Sequence, residues 1–421
     1  MSYESRIPLF KSHLVSPAAN PPQAAGARYA RVSSAERWLL RRFLRAMGNP
    51  AIQITLWNGE SVSTAVAPPV AAVQVADRRT LLRLIYQPEL EFGEAYTDGR
   101  LRVDGDMVDL LETLYRAPVS PWAERRLRRA PRPHANTLSG SRHNIHRHYD
   151  LGNDFYRLWL DAHMVYTCAY FPTATASLED AQVAKMEHVC RKVGLRPGAR
   201  VIEAGCGWGA LALHMARQHG VSVRAFNISK EQIAYARERA REEGLSDRVE
   251  FIEDDYRNVS GHYDAFVSVG MLEHVGLDHY RELGRVIHRC LPEHGRGFIH
   301  TIGRNQPLAF NAWTEKYIFP GAYPPTLREM MDIIEPYNFS VLDVENLRLH
   351  YATTLRHWLT RFERSAERVA AMFDDRFVRA WRLYLSGSVA AFSSGSLQVF
   401  QVSFARALDN ALPWTRAHLY Q

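Results

Sequence analysis

In this chain, chemistry is first legible in the stretch 201–209, VIEAGCGWG. An apolar strand runs into a glycine-rich turn and then a helical pattern. In a doubly wound sheet such a turn sits at the carboxyl end of a strand, where ligands bind. Gly205, Gly207 and Gly209 let the backbone approach a ligand where a β-carbon would intrude. Glu203 can hold a cationic group such as an amino group. Taken alone, the turn suits a nicotinamide or flavin site equally well. Two details separate the readings. The spacing is GxGxG rather than the dinucleotide GxGxxG. No acid ends the second strand, where a dinucleotide ribose would be gripped; Asn227 ends it, followed by Ser229 and Gln232. Asp254 and Asp255 end the third strand, placed to meet an adenine or ribose.

These residues need a scaffold, and the pattern from Arg200 onward supplies one. RVIEAGCG, VSVRAFNI, VEFIEDD, YDAFVSVG and GRGFIHTIG read as strands separated by helical patterns, which predicts a mostly parallel sheet covered by helices. A later strand, LQVFQVSFAR, is expected to close the sheet edge. Between Pro307 and Pro336 runs an aromatic insertion too long for a simple connection, expected to form a lid or pocket wall. With this scaffold, the turn and its polar followers read as a site for S-adenosylmethionine in preference to a dehydrogenase site.

The 421 residues are too many for one simple core. Residues 1–30 are Pro/Ala-rich and are expected to be a flexible N-terminus. Ser33 or Ser34 caps a helix through AERWLLRRFLRAM, with Trp38, Leu39, Phe43 and Leu44 on one side. That helix is either a surface helix of its own domain or a basic amphipathic helix touching a membrane. Residues 31–117 form a small α+β domain, read as a docking module. Its Asp98-Gly99 and Asp104-Gly105 turns bracket the strand LRVD. Residues 118–142 are a linker rich in Pro and Arg, with Arg125, Arg126, Arg128, Arg129 and Arg132 crowded together; a solvated tether and a lipid-headgroup contact are both open readings. Residues 143–421 form the catalytic domain. The formal net charge of +7 points to an anionic partner, membrane surface or nucleic acid. Nucleic-acid methylation is disfavoured, because no NPPY-like or PC-type catalytic motif is present. No apolar run approaches the roughly 18 residues of a spanning helix, and no secretory signal is expected at the N-terminus. The four cysteines, Cys168, Cys190, Cys206 and Cys290, are widely spaced without a CxxC pair, so neither a disulfide framework nor a metal site is expected, and a reducing cytoplasm fits.

Eight motifs in one order carry a resemblance: HYDLGNDFY (148–156), YTCAYF (166–171), GCGWG (205–209), SVGMLEHVG (268–276), HTIG (300–303), NAWTEKYIFPGAYP (311–324), YATTL (351–355) and QVFQVSFAR (398–406). In them the chain resembles the cyclopropane-fatty-acyl-phospholipid synthase family, densely over 140–406, and GEAYTDGRLRVDGDMVDLL resembles that family's N-terminal lipid-binding domain. The resemblance implies a Rossmann-like methyltransferase fold, cyclopropanation of unsaturated phospholipid acyl chains, docking on the inner face of the cell membrane, and a homodimer. It implies that Tyr166, Thr167, the turn Gly205-Cys206-Gly207-Trp208-Gly209, the stretch from Asn227 through Ser229 to Gln232, and Asp254 with Asp255 contact S-adenosylmethionine. It further implies a bound bicarbonate as base, caged by Cys168, Glu273, His300, Tyr351 and the backbone of Ile302. The family usually has Asp at Glu203 and Thr or Ser at Asn227; both changes keep a hydrogen-bonding group. Ser388 stands where the family often has a cysteine, which argues against a covalent thiol.

The implied reaction needs a dry site, alignment of methyl and alkene, and an acceptor for one proton. Trp313, Tyr317, Phe319 and Tyr323 could face the developing cation or be core. A methyl-branched or methylene product is the alternative outcome, and a catalytically dead lipid-binding protein would need damaged site positions, of which the sequence has none.

Overall fold

The computed structural model describes residues 31–118 and 151–420. The expected flexible N-terminus and nearly all of the linker, including Arg125–Arg132, lie outside the described residues, as do the first residues of HYDLGNDFY. By packing the chain forms two compact units. The first gathers 31–118 with 311–318 and 363–394; the second holds the rest. A reading by chain order assigns 311–318 and 363–394 to the catalytic segment, whereas packing groups them with the first unit.

The first unit has a four-stranded sheet in the order β2-β1-β3-β4, built from β1 (Ile52–Thr55), β2 (Ser61–Val62), β3 (Ala71–Val75) and β4 (Leu101–Asp104). The helix Ser34–Ala46 starts at a capping box: Ser33 accepts from the Glu36 amide while Glu36 accepts from the Ser33 amide. This helix turns Leu40 and Leu44 inward but leaves Trp38 57% exposed, with the Arg42 guanidinium over its ring. Of the four residues read on one side, Leu44 is buried and Leu39 and Phe43 are half-buried, while Trp38 turns to solvent; the buried stripe centres on the i, i+4 pair Leu40/Leu44. The long helix Asp375–Ser394 packs on the helix Met107–Arg116. Trp313, on the helix Ala312–Tyr317, lies so close over Gly93 that a β-carbon there would meet the indole ring at 2.3 Å.

The second unit has a seven-stranded sheet in the order β10-β11-β9-β8-β5-β6-β7. Its strands are β5 (Arg200–Ala204), β6 (Ser222–Asn227), β7 (Val249–Glu253), β8 (Ala265–Val269), β9 (Arg296–Gly303), β10 (Phe339–Asn346) and β11 (Gln398–Arg406). The five strands β5 to β9 are mutually parallel. β11 runs antiparallel to both β9 and β10. LQVFQVSFAR thus does not close the sheet edge. β10 does, and its alternation of exposed and half-buried residues contrasts with the almost wholly buried β11, as expected for strands paired on one side and on two. Helices cover both faces, so neighbours in β5 serve different cores: Val201 packs with Met186, Val189 and Leu213, while Ile202 packs with Tyr280, Leu283 and Ile287. The wholly buried β8 strand follows from the same double covering.

Candidate active site

The carboxyl ends of β5, β6, β8 and β9 gather most of the residues singled out in the sequence. Gly205, Gly207 and Gly209 all have positive φ, at 85°, 53° and 84°. Their reasons differ. A β-carbon on Gly209 would strike the Phe251 ring at 2.6 Å, so that glycine lets the following helix (Ala210–His219) settle on the sheet. A β-carbon on Gly207 would meet nothing within 4 Å. The Gly207 backbone is thus open on the side a side chain would fill, at the carboxyl end of β5 where ligands of such sheets bind. Gly205 and Cys206 donate to the Phe226 carbonyl at 2.9 and 3.1 Å, tying the turn to β6. Trp208 is buried, with its Nε1 donating to Asn153 Oδ1 at 2.7 Å and its ring 4.9 Å from Tyr156.

At the end of β6, Asn227 Nδ2 donates to the Gly207 carbonyl and to Gln232 Oε1, while its Oδ1 accepts from the Ser229 amide. The Ser229 hydroxyl is spent as the N-cap of the helix Lys230–Glu242. At the end of β7 the two aspartates part ways. Asp255 is buried and bidentate to Arg257 at 2.7 and 2.9 Å; Asp254 is half-buried and accepts from the Asp255 amide and Asn258.

Glu203, in β5, is buried and lifted by desolvation to about 7; the nearby Lys185 ammonium pulls the other way. Its Oε2 has no hydrogen-bond partner among the described residues. Lys185 is about two turns inside the helix Leu178–Val193, only 2% exposed, and lowered by burial to about 8. It donates to Thr167 Oγ1 at 3.0 Å, and Gln182 of the same helix donates to the Thr167 carbonyl at 2.9 Å. The Tyr166 ring packs at 5.3 Å from both Trp159 and Trp358.

The second cluster lies at β8 and β9. Glu273 follows β8 in a 3-10 turn, and His300 lies within β9 beside Val269. Glu273 Oε1 accepts from the Ile302 amide at 2.6 Å; its Oε2 is buried without a hydrogen-bond partner among the described residues. Burial lifts this carboxyl to about 7. Burial also lowers His300 to about 3, assisted by the positive charges of Lys185 and Lys192, so the imidazole is neutral at physiological pH. Gln401 Nε2 lies within hydrogen-bond distance of His300 Nδ1, at 3.1 Å. Cys168 and Tyr351 join through one residue: the Leu347 carbonyl accepts from Cys168 Sγ at 3.7 Å and from the Tyr351 amide at 3.0 Å. The Leu347 amide in turn donates to Val399, the β11 partner of Ile302. Burial pushes the Cys168 thiol far above its ordinary value, so it stays protonated. The Cys168 thiol and the Tyr351 backbone thus meet at Leu347, whose amide is tied to β11 opposite Ile302, the residue that binds Glu273.

The aromatic insertion does not stay together. Trp313 and Tyr317 belong to the first unit, where Tyr317 and Lys316 bind Glu94 at 2.7 and 2.6 Å. Phe319 and Tyr323 belong to the second. The Tyr323 amide donates to the Glu273 carbonyl at 2.8 Å, and Phe319 lies 6.1 Å from His274. Lys185, Gln182 and Gln401 are not marked by the sequence. Gln401 is one of several polar residues in QVFQVSFAR and carries no distinguishing mark; Lys185 reads as one more charge on an amphipathic helix.

The family and relatives of this chain make it an S-adenosylmethionine-dependent methyltransferase, and its sheet order with a glycine turn after β5 is the matching fold. Residues 137–402 match the family described as mycolic acid cyclopropane synthetase, and the chain belongs to that family. Residues 39–125 match a domain family of unknown function. The chain is 37% identical to the cyclopropane-fatty-acyl-phospholipid synthase of Escherichia coli K12, covering 81% of this chain and 90% of that one. It is 32% identical to a probable fatty acid methyltransferase of Pseudomonas putida, over 88% of this chain and 96% of that one. A mycolic acid cyclopropane synthase solved with SAH and CTAB superposes with a TM-score of 0.59 at 27% identity, covering 66% of this chain and 99% of that one.

Proposed function

We propose that this enzyme adds a methylene carbon across the cis double bond of unsaturated phospholipid acyl chains, forming a cyclopropane ring. The observation that carries the reading is the buried Glu273 carboxyl, whose Oε1 accepts from the Ile302 amide and whose Oε2 is unpartnered among the described residues, with the neutral, buried His300 two residues before Ile302 on the same strand. The likeness to the Escherichia coli synthase supports the substrate class.

S-adenosylmethionine supplies the methyl carbon and leaves as S-adenosylhomocysteine. Gly207 gives it an open backbone, and Glu203, with its spare buried oxygen, suits its ammonium group. Tyr166, Thr167, Asn227 and Asp254 border the same region of the fold. Ring closure requires one proton to leave the added carbon. Cys168, Glu273, His300, Tyr351 and the Ile302 backbone would hold a bicarbonate that supplies its acceptor. The residue types fit an anion bearing one hydroxyl: the neutral His300 imidazole would donate its N–H, and the spare Glu273 oxygen would accept. Burial of both side chains keeps water from the proton's path. Docking to anionic membrane would use the first unit, where Trp38, Leu82 and Tyr86 are exposed among Arg41, Arg42, Arg78, Arg79 and Arg83. Among the described residues no helix is long and apolar enough to cross a membrane.

A second outcome, a methyl-branched or methylene chain, is favoured by the similarity to the Pseudomonas putida protein. Analysis of phospholipid fatty acids from cells expressing the enzyme decides between them. Cyclopropane protons in NMR, with the mass of one added methylene, are expected. Branched or methylene products would replace this reading by the second, and unchanged fatty acids would overturn both.

A further inference from the structure

We propose that Glu187, Cys190, His214 and His219 form a binding site for one zinc ion, which staples the helix Leu178–Val193 to the helix Ala210–His219. One ligand atom from each residue lies within 4.8 Å of the others. Glu187 Oε2 is 3.0 Å from His219 Nε2 and 3.4 Å from His214 Nε2. Bond lengths of about 2.0–2.3 Å in a tetrahedral zinc site put neighbouring donor atoms roughly 3.3–3.8 Å apart, so closing the four around an ion needs side-chain adjustments and no change of fold. Glu187 and Cys190 share one helical face at i, i+3, and His214 and His219 come from the facing helix.

The donor set selects the ion. Two imidazoles, one thiolate and one carboxylate suit zinc and exclude the hard cations calcium and magnesium. Cys190 is fully buried and would bind as a thiolate, its proton passing to solvent as the ion enters. Arg191 already holds the other Glu187 oxygen at 3.1 Å, which orients Oε2 toward the two rings. A cleft lined by His163, Glu187, His214, Arg217 and Arg239 brings solvent to two of the four ligands, Glu187 and His214. The two arginines do not repel an incoming cation at full strength, because both pair with Glu243.

The position gives the site a consequence. The first helix carries Gln182 and Lys185, which hold Thr167; the second begins immediately after the glycine turn. An ion between them would fix the spacing of the two segments that border the donor site. The proposal stands apart from the reading of substrate and product, since its test reads metal binding alone.

Chelator-treated full-length protein is titrated with cobalt(II), then with zinc. The expected result is one cobalt per chain with a near-ultraviolet thiolate-to-cobalt band, displaced by zinc. Cys190→Ser should abolish the band. His219→Gln should weaken zinc binding by at least about tenfold. Its side chain is 20% exposed, so this variant decides the matter if Cys190→Ser does not fold. Absence of the thiolate band in the wild type, or unchanged zinc affinity in His219→Gln, would overturn the site and leave Glu187 as a hydrogen-bonded latch between the helices.

Discussion

Glu203 and Glu273 stand on neighbouring parallel strands or just past them, and in isolation they look alike. Both are buried, both are lifted by desolvation to about 7, and both keep an unpartnered Oε2. The difference lies in what surrounds them. Glu203 has the Lys185 ammonium nearby, which favours its charged form. For Glu273 only hydrogen bonds, chiefly from the Ile302 amide, oppose the desolvation. A carboxyl near one cation is easily ionised by a second, such as a donor's ammonium group. A carboxyl without a cation is suited to sharing a proton. Burial thus poises both groups, and a single neighbouring charge separates their work.

The sharpest way to break this comparison is Glu273→Gln. If Glu273 serves proton removal, product formation falls by roughly 10²–10⁴-fold while S-adenosylmethionine affinity, measured by calorimetry, stays within about threefold. A matching loss of affinity would merge the two carboxyls into one binding site. Added bicarbonate should restore part of the lost rate.

Gly207→Val acts on the other side of the comparison. A branched residue is strained at φ 53°, and its side chain would project into the open space above the turn. Donor affinity is expected to fall more than about 100-fold, a loss of about 3 kcal/mol, in a protein whose circular dichroism and thermal transition remain cooperative. Normal affinity in the folded variant would remove the turn from the donor site.

The smallest effect is expected from Glu203→Gln. Loss of one charge-assisted hydrogen bond should weaken donor binding about tenfold with the rate at saturating donor unchanged. The same variant tests burial. The folded Glu203 keeps its proton up to about 7, whereas the unfolded chain releases it near 4.5. Between these values the folded state binds more protons, so this group's contribution to stability declines as pH rises from 4.5 to 7. Relative to wild type, Glu203→Gln should therefore gain up to roughly 3 kcal/mol between pH 4.5 and pH 7, read by urea unfolding. A flat difference would mean that the carboxyl ionises freely.

Much of the site is legible in the amino-acid sequence. The glycine turn, the strand ends at Asn227 and Asp254, and the motifs holding Glu273 and His300 are local patterns, and the parallel sheet brings their carboxyl ends to one edge. Lys185 and Gln401 are not legible there. Nothing in LEDAQVAKMEHVCRKV marks Lys185 as buried, since a lysine on an amphipathic helix ordinarily faces water. Gln401 matters only because β11 pairs in register with β9 and sets it opposite His300. The misplaced sheet edge has the same origin: LQVFQVSFAR lies inside the sheet because β10, from a segment that sequence alone does not mark as a strand, covers its outer side.

Sequence alone determined the α/β class, the glycine turn and the order of the motifs, because each depends on backbone freedom or periodicity within a few residues. Tertiary structure decided the protonation of Glu203, Glu273 and His300, and the division of the aromatic insertion between two units. It also drew together Glu187, Cys190, His214 and His219, which lie on two helices with no recognisable spacing between them. Desolvation, register and helix packing are sums over neighbours distant in the chain, and no short window of residues contains those neighbours.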